Sequence, residues 1–168
     1  MKYVFKPYQT IFPHLFEREK ERIAAFCQTA LQIEHVGSTA VPGLGGKGII
    51  DIAIGVKPER FEEIIQRLKT IGYEYRPHFS TASRAYLVIE LPDPLEDKRR
   101  YHVHLTDPTG EEWKDLLGFR DFFRVNPKEA QEYAEIKKRA VLEANQDGDT
   151  YRRLKEQMYQ RYRRSRAC

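Results

Sequence analysis

Apolar residues recur along this chain with two periods, and the period changes from segment to segment. Phe12, Leu15, Phe16, Ile23 and Phe26 fall at helical intervals around Pro13, with a charged run at 17–22 between them. The spacing predicts an amphipathic helix lying over a sheet, its charged run outward. Residues 31–36 and 49–56 are short apolar-rich runs on either side of a small-residue stretch at 37–46. Both read as strands, and the more continuous second one as central. Phe61, Ile64, Ile65, Leu68 and Ile71 fit the i, i+3, i+4, i+7 template, and Gly72 supplies the stop. Strands follow at 73–76, 84–91 and 100–106, separated by Pro-containing or charged turns such as 91–98. Three helices complete the pattern: one at about 109–123, one opened by Asn126 as cap and Pro127 at its first position, and one after Asp147-Gly148-Asp149.

That order gives an α+β fold: a single mixed sheet around one crossover helix, flanking helices and a C-terminal helical extension. With 168 residues and 40% hydrophobic content, one domain over 1–168 is expected, its core at about 1–107 and its extension at about 108–168. No apolar run approaches the roughly 20 residues that span a bilayer, and the amino terminus lacks the regions of a signal peptide. A cytoplasmic protein away from membranes is expected. Cys27 and Cys168 are too few and too ill-placed for a disulfide framework or a thiolate metal site, and read as incidental. The net charge of +4 is a mild excess, concentrated in the tail.

The chemistry gathers around the small-residue stretch. Gly37 lets backbone approach a ligand with no Cβ in the way, and Ser38 and Thr39 offer hydroxyls and amides to an anion such as phosphate. The following strand carries Asp51, which places a carboxylate beside that anion site, where a metal can bridge the two.

The segment Glu34-His-Val-Gly-Ser-Thr-Ala-Val-Pro-Gly-Leu-Gly-Gly-Lys-Gly-Ile-Ile-Asp-Ile52, followed by Tyr101-His-Val-His-Leu105, Phe119-Arg-Asp-Phe-Phe-Arg-Val-Asn-Pro127, Tyr133-Ala134 and Lys137-Lys138, resembles the GrpB-like family of the nucleotidyltransferase superfamily over almost the whole chain. The resemblance implies a sheet of nucleotidyltransferase type. It also implies binding of a nucleotide or other phosphate-bearing small molecule and, where the family is active, transfer of a nucleotidyl group. In that picture Ser38 and the loop amides hold phosphates, Asp51 holds one metal or orients the attacking group, and His104 assists. Relatives fused to dephospho-CoA kinase make a coenzyme A precursor or an adenine nucleotide a candidate ligand.

One position departs from the superfamily pattern. A two-metal site needs carboxylates at i and i+2 of the strand, and the i+2 residue here is Ala53. His102 and His104, which alternate onto one strand face, and Glu90 on a neighbouring strand are the candidates to make up the deficit. Asp51 with the two histidines suits a divalent transition metal better than magnesium. The competing reading is that both histidines pack and hydrogen-bond at the core edge. Lys47 and Arg84 are placed to balance phosphate charge or to be solvated surface, and Arg120 is the candidate ligand residue in the helical extension, beside Asp121 and Arg124. Glu34 reads as a strand-edge charge, His35 as a structural histidine, and the aromatic set with Trp113 and Tyr133 as core.

In the tail, Arg152, Arg153, Lys155, Arg161, Arg163, Arg164 and Arg166 interleave with Tyr151, Tyr159 and Tyr162. That mixture binds nucleic acid in some proteins and is a solvated helix end in others. Three functions stay open on the sequence: a nucleotidyltransferase-like enzyme lacking the second carboxylate, a non-catalytic nucleotide-binding or chaperone-like module, and a nucleic-acid-binding protein working through its tail. Oligomeric state leaves no signature.

Overall fold

The computed structural model describes residues 4–29, 31–143 and 148–167. Its elements run α1 (Phe12–Cys27), β1 (Gln32–Val36), β2 (Ile50–Gly55), α2 (Phe61–Thr70), β3 (Glu74–Tyr75), β4 (Arg84–Pro92), β5 (Lys98–Thr106), α3 (Glu111–Val125), α4 (Pro127–Glu143) and α5 (Gly148–Ala167), with short 3-10 turns at Ser38–Ala40, Pro58–Arg60 and Pro77–Phe79. The strands form one sheet in the order β1-β2-β5-β4-β3. β2 and β5 run parallel and the other three pairings are antiparallel, so the sheet is mixed.

Strand alternation divides the sheet into two unlike faces. Ile50, Ile52 and Ile54 of β2 join Val103 and Leu105 of β5 and Leu87 of β4 in the main core, closed by Phe12, Phe16 and Ile23 of α1 and Ile64 and Leu68 of α2. The other face carries Asp51 opposite His102, Ala53 opposite His104, and Tyr86 across from His104. That polar face is roofed too: Trp113, Leu116 and Leu117 of α3 pack on Val36 and Ala53. Beyond them Phe123, Tyr133, Ala134 and Met158 from α3, α4 and α5 close on Val41 and Leu44 of the loop.

Two details of α1 differ from the periodic reading. Glu19, inside the charged run, sits on the buried stripe, because the i, i+4 ladder from Leu15 to Ile23 passes through it. Its carboxylate accepts from Tyr73 Oη at 2.7 Å and from Arg22. Phe26 is exposed and Cys27 takes its place in the core, since left-handed Gln28 (φ 51°) ends the helix immediately afterwards. At the other junction Pro127 opens α4, but Asn126 donates to the Phe122 carbonyl at 2.8 Å and so closes α3. Asp147 and Cys168 lie outside the described residues.

The β4–β5 hairpin is fastened to the loop by a buried ion pair. Arg99 donates through Nε to Asp93 at 2.6 Å, both side chains being essentially inaccessible, and through Nη1 to the Gly48 carbonyl at 2.7 Å. Removing one partner of such a pair strands the other without water. Arg99→Met is expected to lower unfolding stability by about 3–5 kcal/mol in urea titration. Adding Asp93→Asn should recover more than half, and a single-variant loss below about 1 kcal/mol, the level of a surface pair, would contradict the assignment.

Candidate functional site

The site begins where β1 turns away from the sheet. Gly37 has φ 75°, a left-handed conformation that favours glycine, and a Cβ placed on it would lie 2.5 Å from Asp51 Oδ2. Two constraints therefore meet at one residue: the turn needs positive φ, and the carboxylate needs the space. Behind it the loop is fixed through its carbonyls. Arg124 of α3 donates to Ala40 at 2.8 Å, Lys137 of α4 to Gly45 at 2.6 Å, the Lys6 amide to Gly46 at 2.6 Å and Arg99 of β5 to Gly48.

Over the loop, the polar sheet face and α3–α5 enclose a cavity of about 440 Å³. Asp51 lies on its floor with His104 Nε2 at 3.1 Å and His102 Nδ1 at 3.5 Å, both from the same carboxylate oxygen, while His102 Nδ1 also pairs with Tyr86 Oη at 2.7 Å. Burial pushes the Asp51 carboxyl up, but its hydrogen bonds with the two imidazoles outweigh that and hold it well below the usual carboxylate range. Burial, reinforced by the Asp51 carboxylate, pushes Tyr86 up to about 12, so the phenol keeps its proton at neutral pH. His102 Nε2 and His104 Nδ1, on the far side of each ring, are buried without a hydrogen-bond partner.

Among the described residues, no group of three or more His, Cys, Asp or Glu side chains is placed to hold a metal ion. Asp51, His102 and His104 do come together as the sequence suggested, but as a hydrogen-bonded chain: the ring nitrogens that face the carboxylate are engaged with it and with Tyr86. Glu90 does not join them. It pairs with Arg100 at 3.1 Å, towards the far end of the hairpin. Position 53 has no room for a second carboxylate, because Ala53 is fully buried against Trp113.

Cations ring the cavity. Lys47, Arg84, Lys137 and Lys155 all line it, from the loop, β4, α4 and α5. A Cβ on Gly46 would meet Ser38 Oγ at 2.7 Å and Lys137 Nζ at 3.1 Å, so the hydroxyl and the ammonium flank the same bare stretch of backbone. Lys137 is 5% exposed, and its ammonium lies 4.6 Å from the Tyr133 ring centre. Burial first, then the neighbouring Lys155 ammonium, push Lys137 down to about 7, with Lys47 adding to the shift and Asp51 opposing it. Burial and Lys155 likewise push Lys47 down to about 8, and its ammonium rests 5.1 Å from the Tyr151 ring centre.

Of the residues singled out from sequence, Gly37, Ser38, Lys47, Asp51, Arg84, His102 and His104 line this one cavity. Thr39 and Arg120 do not. The Thr39 hydroxyl donates to the Ile49 carbonyl at 3.0 Å and pairs with His35 Nε2 at 2.9 Å, bracing the turn from behind. Burial pushes His35 down to about 4, and its ring stacks on Phe16, in keeping with a structural histidine. Arg120 is buried beside β1, donating to Glu34 at 2.6 Å, Asp121 at 2.9 Å and the His35 carbonyl at 3.1 Å. Its guanidinium ties α3 to the strand edge and is spent on that task.

Lys137, Lys155, Tyr86, Tyr151 and Tyr159 line the cavity without having been proposed for it. A signal existed for Lys137: it falls on the stripe Ala130, Tyr133, Ala134, Ala140 of α4, where a solvated lysine does not belong. The tail tyrosines turn inward. Tyr151 and Tyr162 are buried and Tyr159 stacks on Phe119, while Arg163 and Arg166 pair with Asp115 and Arg161 with Glu132.

The GrpB protein family profile matches residues 2–165. The chain belongs to the GrpB family. A UPF0157 protein of Pseudomonas aeruginosa is 36% identical over 160 residues, covering 92% of this chain and 64% of the relative. A dephospho-CoA kinase of Mycolicibacterium paratuberculosis is 28% identical over 158 residues, covering 81% of this chain and 39% of the kinase. The chain thus spans less than two thirds of either relative's length. The crystal structure of the conserved protein GrpB from Enterococcus faecalis superposes with a TM-score of 0.76 at 27% identity, covering 95% of this GrpB chain and 99% of that one. The mixed five-stranded sheet with its helical extension is therefore the GrpB fold.

The buried lysines make stability depend on pH in a definite direction. A lysine titrating near 7 in the folded chain and near 10.4 when unfolded leaves the unfolded state holding more protons between those values. Its contribution to stability therefore rises with pH across that window. Wild type is expected to gain about 3 kcal/mol on Lys137→Met between roughly pH 7 and 10, read as the difference between two urea-unfolding series. Parallel profiles would place the ammonium in water.

Proposed function

We propose that this GrpB chain binds a nucleotide or another phosphate-bearing small molecule in the cavity over Asp51, on a sheet of nucleotidyltransferase type. The observation that carries the reading is the convergence of Ser38, Lys47, Arg84, Lys137 and Lys155 from four parts of the chain on one aromatic-walled cavity. Convergent cations at a glycine-rich turn suit phosphate oxygens, and tyrosine faces suit a flat, partly apolar group such as a base. The relative described as a dephospho-CoA kinase is in keeping with a phosphate-bearing ligand.

Asp51 is placed to accept a hydrogen bond from a ligand hydroxyl, with His104 steadying the carboxylate. Transfer by the two-metal route does not fit these residues. An aspartate at position 53 would have to be buried against Trp113 without a cation to meet it. That packing favours binding as the function shared by the whole arrangement, and nucleotidyl transfer as an activity that needs chemistry other than paired ions.

Thermal unfolding with ATP tests the reading. Ligand at one hundred times its Kd stabilises the folded state by about 2.7 kcal/mol, a shift of several degrees for a chain of this size. Ser38→Ala is expected to reduce the shift and Asp51→Ala to change it. No nucleotide-dependent shift in the wild type contradicts the proposal, and an unchanged shift in both variants contradicts its location.

A further inference from the structure

Resting on the phosphate-binding reading, we propose that the ligand is a polyphosphate, the di- or triphosphate of a nucleotide, taken without a divalent cation, Lys47, Lys137 and Lys155 supplying the positive charge an ion would bring. Three observations lead there. The carboxylates a metal pair would need are absent from the floor: position 53 is Ala53 under Trp113, and Asp51 is engaged by two imidazoles. The other acid on the wall, Asp115, is held by Arg163 and Arg166 at 2.9 and 2.8 Å. The three ammoniums come from the loop, α4 and α5, so the helical extension completes the site that the sheet begins.

The number of oxygens decides between one phosphate and several. A phosphate monoester carries about −1.5 to −2 near neutral pH, enough to match three partly titrated ammoniums less the Asp51 carboxylate, but its few oxygens must be shared among Ser38 and ammoniums from the loop, α4 and α5. A di- or triphosphate chain offsets them and presents enough oxygens to meet Ser38 and all three lysines together. The groups facing Lys137 are Lys155 from α5, Lys47 from the loop, Asp51 from β2, the Tyr133 ring on its own helix and the Gly45 carbonyl. Only the carboxylate among them is anionic, and its two imidazoles already share it. Burial first, and then the mutual repulsion of the cations, depresses the titration of Lys47 and Lys137, and bound phosphates relieve the repulsion.

A divalent ion would then compete with the protein for the phosphate oxygens, the reverse of its role at a two-metal site. The test is calorimetric titration of the full chain with AMP, ADP, ATP and inorganic tripolyphosphate, each in EDTA and in excess magnesium. The expected result is affinity rising from AMP to ATP in EDTA, tripolyphosphate binding as well, and magnesium weakening ATP binding several-fold. Lys137→Met should weaken ATP binding tenfold or more. Lys155→Gln, at an exposed helix position that does not threaten folding, should weaken it several-fold and flatten the dependence on phosphate number. ATP binding that requires magnesium, or AMP binding as tightly as ATP, overturns this inference while leaving the phosphate-binding reading intact. No binding by any nucleotide in either buffer overturns both.

Discussion

Covering the polar face of a sheet is the constraint from which the rest of this structure follows. One face of the sheet is aliphatic and closes on α1 and α2 in the ordinary way. The other carries Asp51, His102, His104 and Tyr86, and α3–α5 roof it nonetheless. Polar groups withdrawn from water must find partners in the chain or in a ligand. Asp51, His104, His102 and Tyr86 partner one another, while His102 Nε2 and His104 Nδ1 are left without a hydrogen bond. Over Ala53 and Val36, the roof descends as Trp113 and excludes everything else. Over Asp51 the roof stands off, and lysines from two of its helices face the carboxylate and the glycine-rich turn across a cavity.

The loop gains its shape from the same arrangement. Arg99, Arg124 and Lys137 each donate to one of its carbonyls, and the amino-terminal segment adds a bridge through Lys6. A loop pinned along its carbonyl side is rigid, which is what recognition of a ligand by backbone and hydroxyl requires. It also couples stability to the site. Lys137 is at once an anchor for Gly45 and a wall of the cavity, so burying its charge weakens the fold near neutral pH.

Much of this was legible in the sequence, because periodicity reports burial and burial reports the layers. The seven strands and helices up to Thr106 stand within a few residues of where alternation and the i, i+3, i+4 template put them, and the glycine stretch with Asp51 marked the cavity floor. The failures have physical causes. Glu19 and Lys137 both occupy apolar-stripe positions, and periodicity read from hydrophobic residues alone treats a charge there as surface. Arg120 stood among family-like residues, yet its partners, Glu34 and the His35 carbonyl, are more than eighty positions away in sequence, and nothing local announces such a pairing. The basic tail illustrates the same limit. Helical spacing turned Tyr151 and Tyr162 inward and left Lys155 facing the site, a sorting that only the packing of α5 on α4 decides.

The central claim is that the cavity over Asp51 receives phosphates. A crystal structure of the protein grown with ATP in EDTA tests it most directly. The account predicts phosphate density against the Gly37-Ser38 turn, within hydrogen-bond reach of Lys137 and Lys47, with Lys155 closing from α5. ATP density bound instead on the outer arginines of α5, with the cavity holding only solvent, would contradict it.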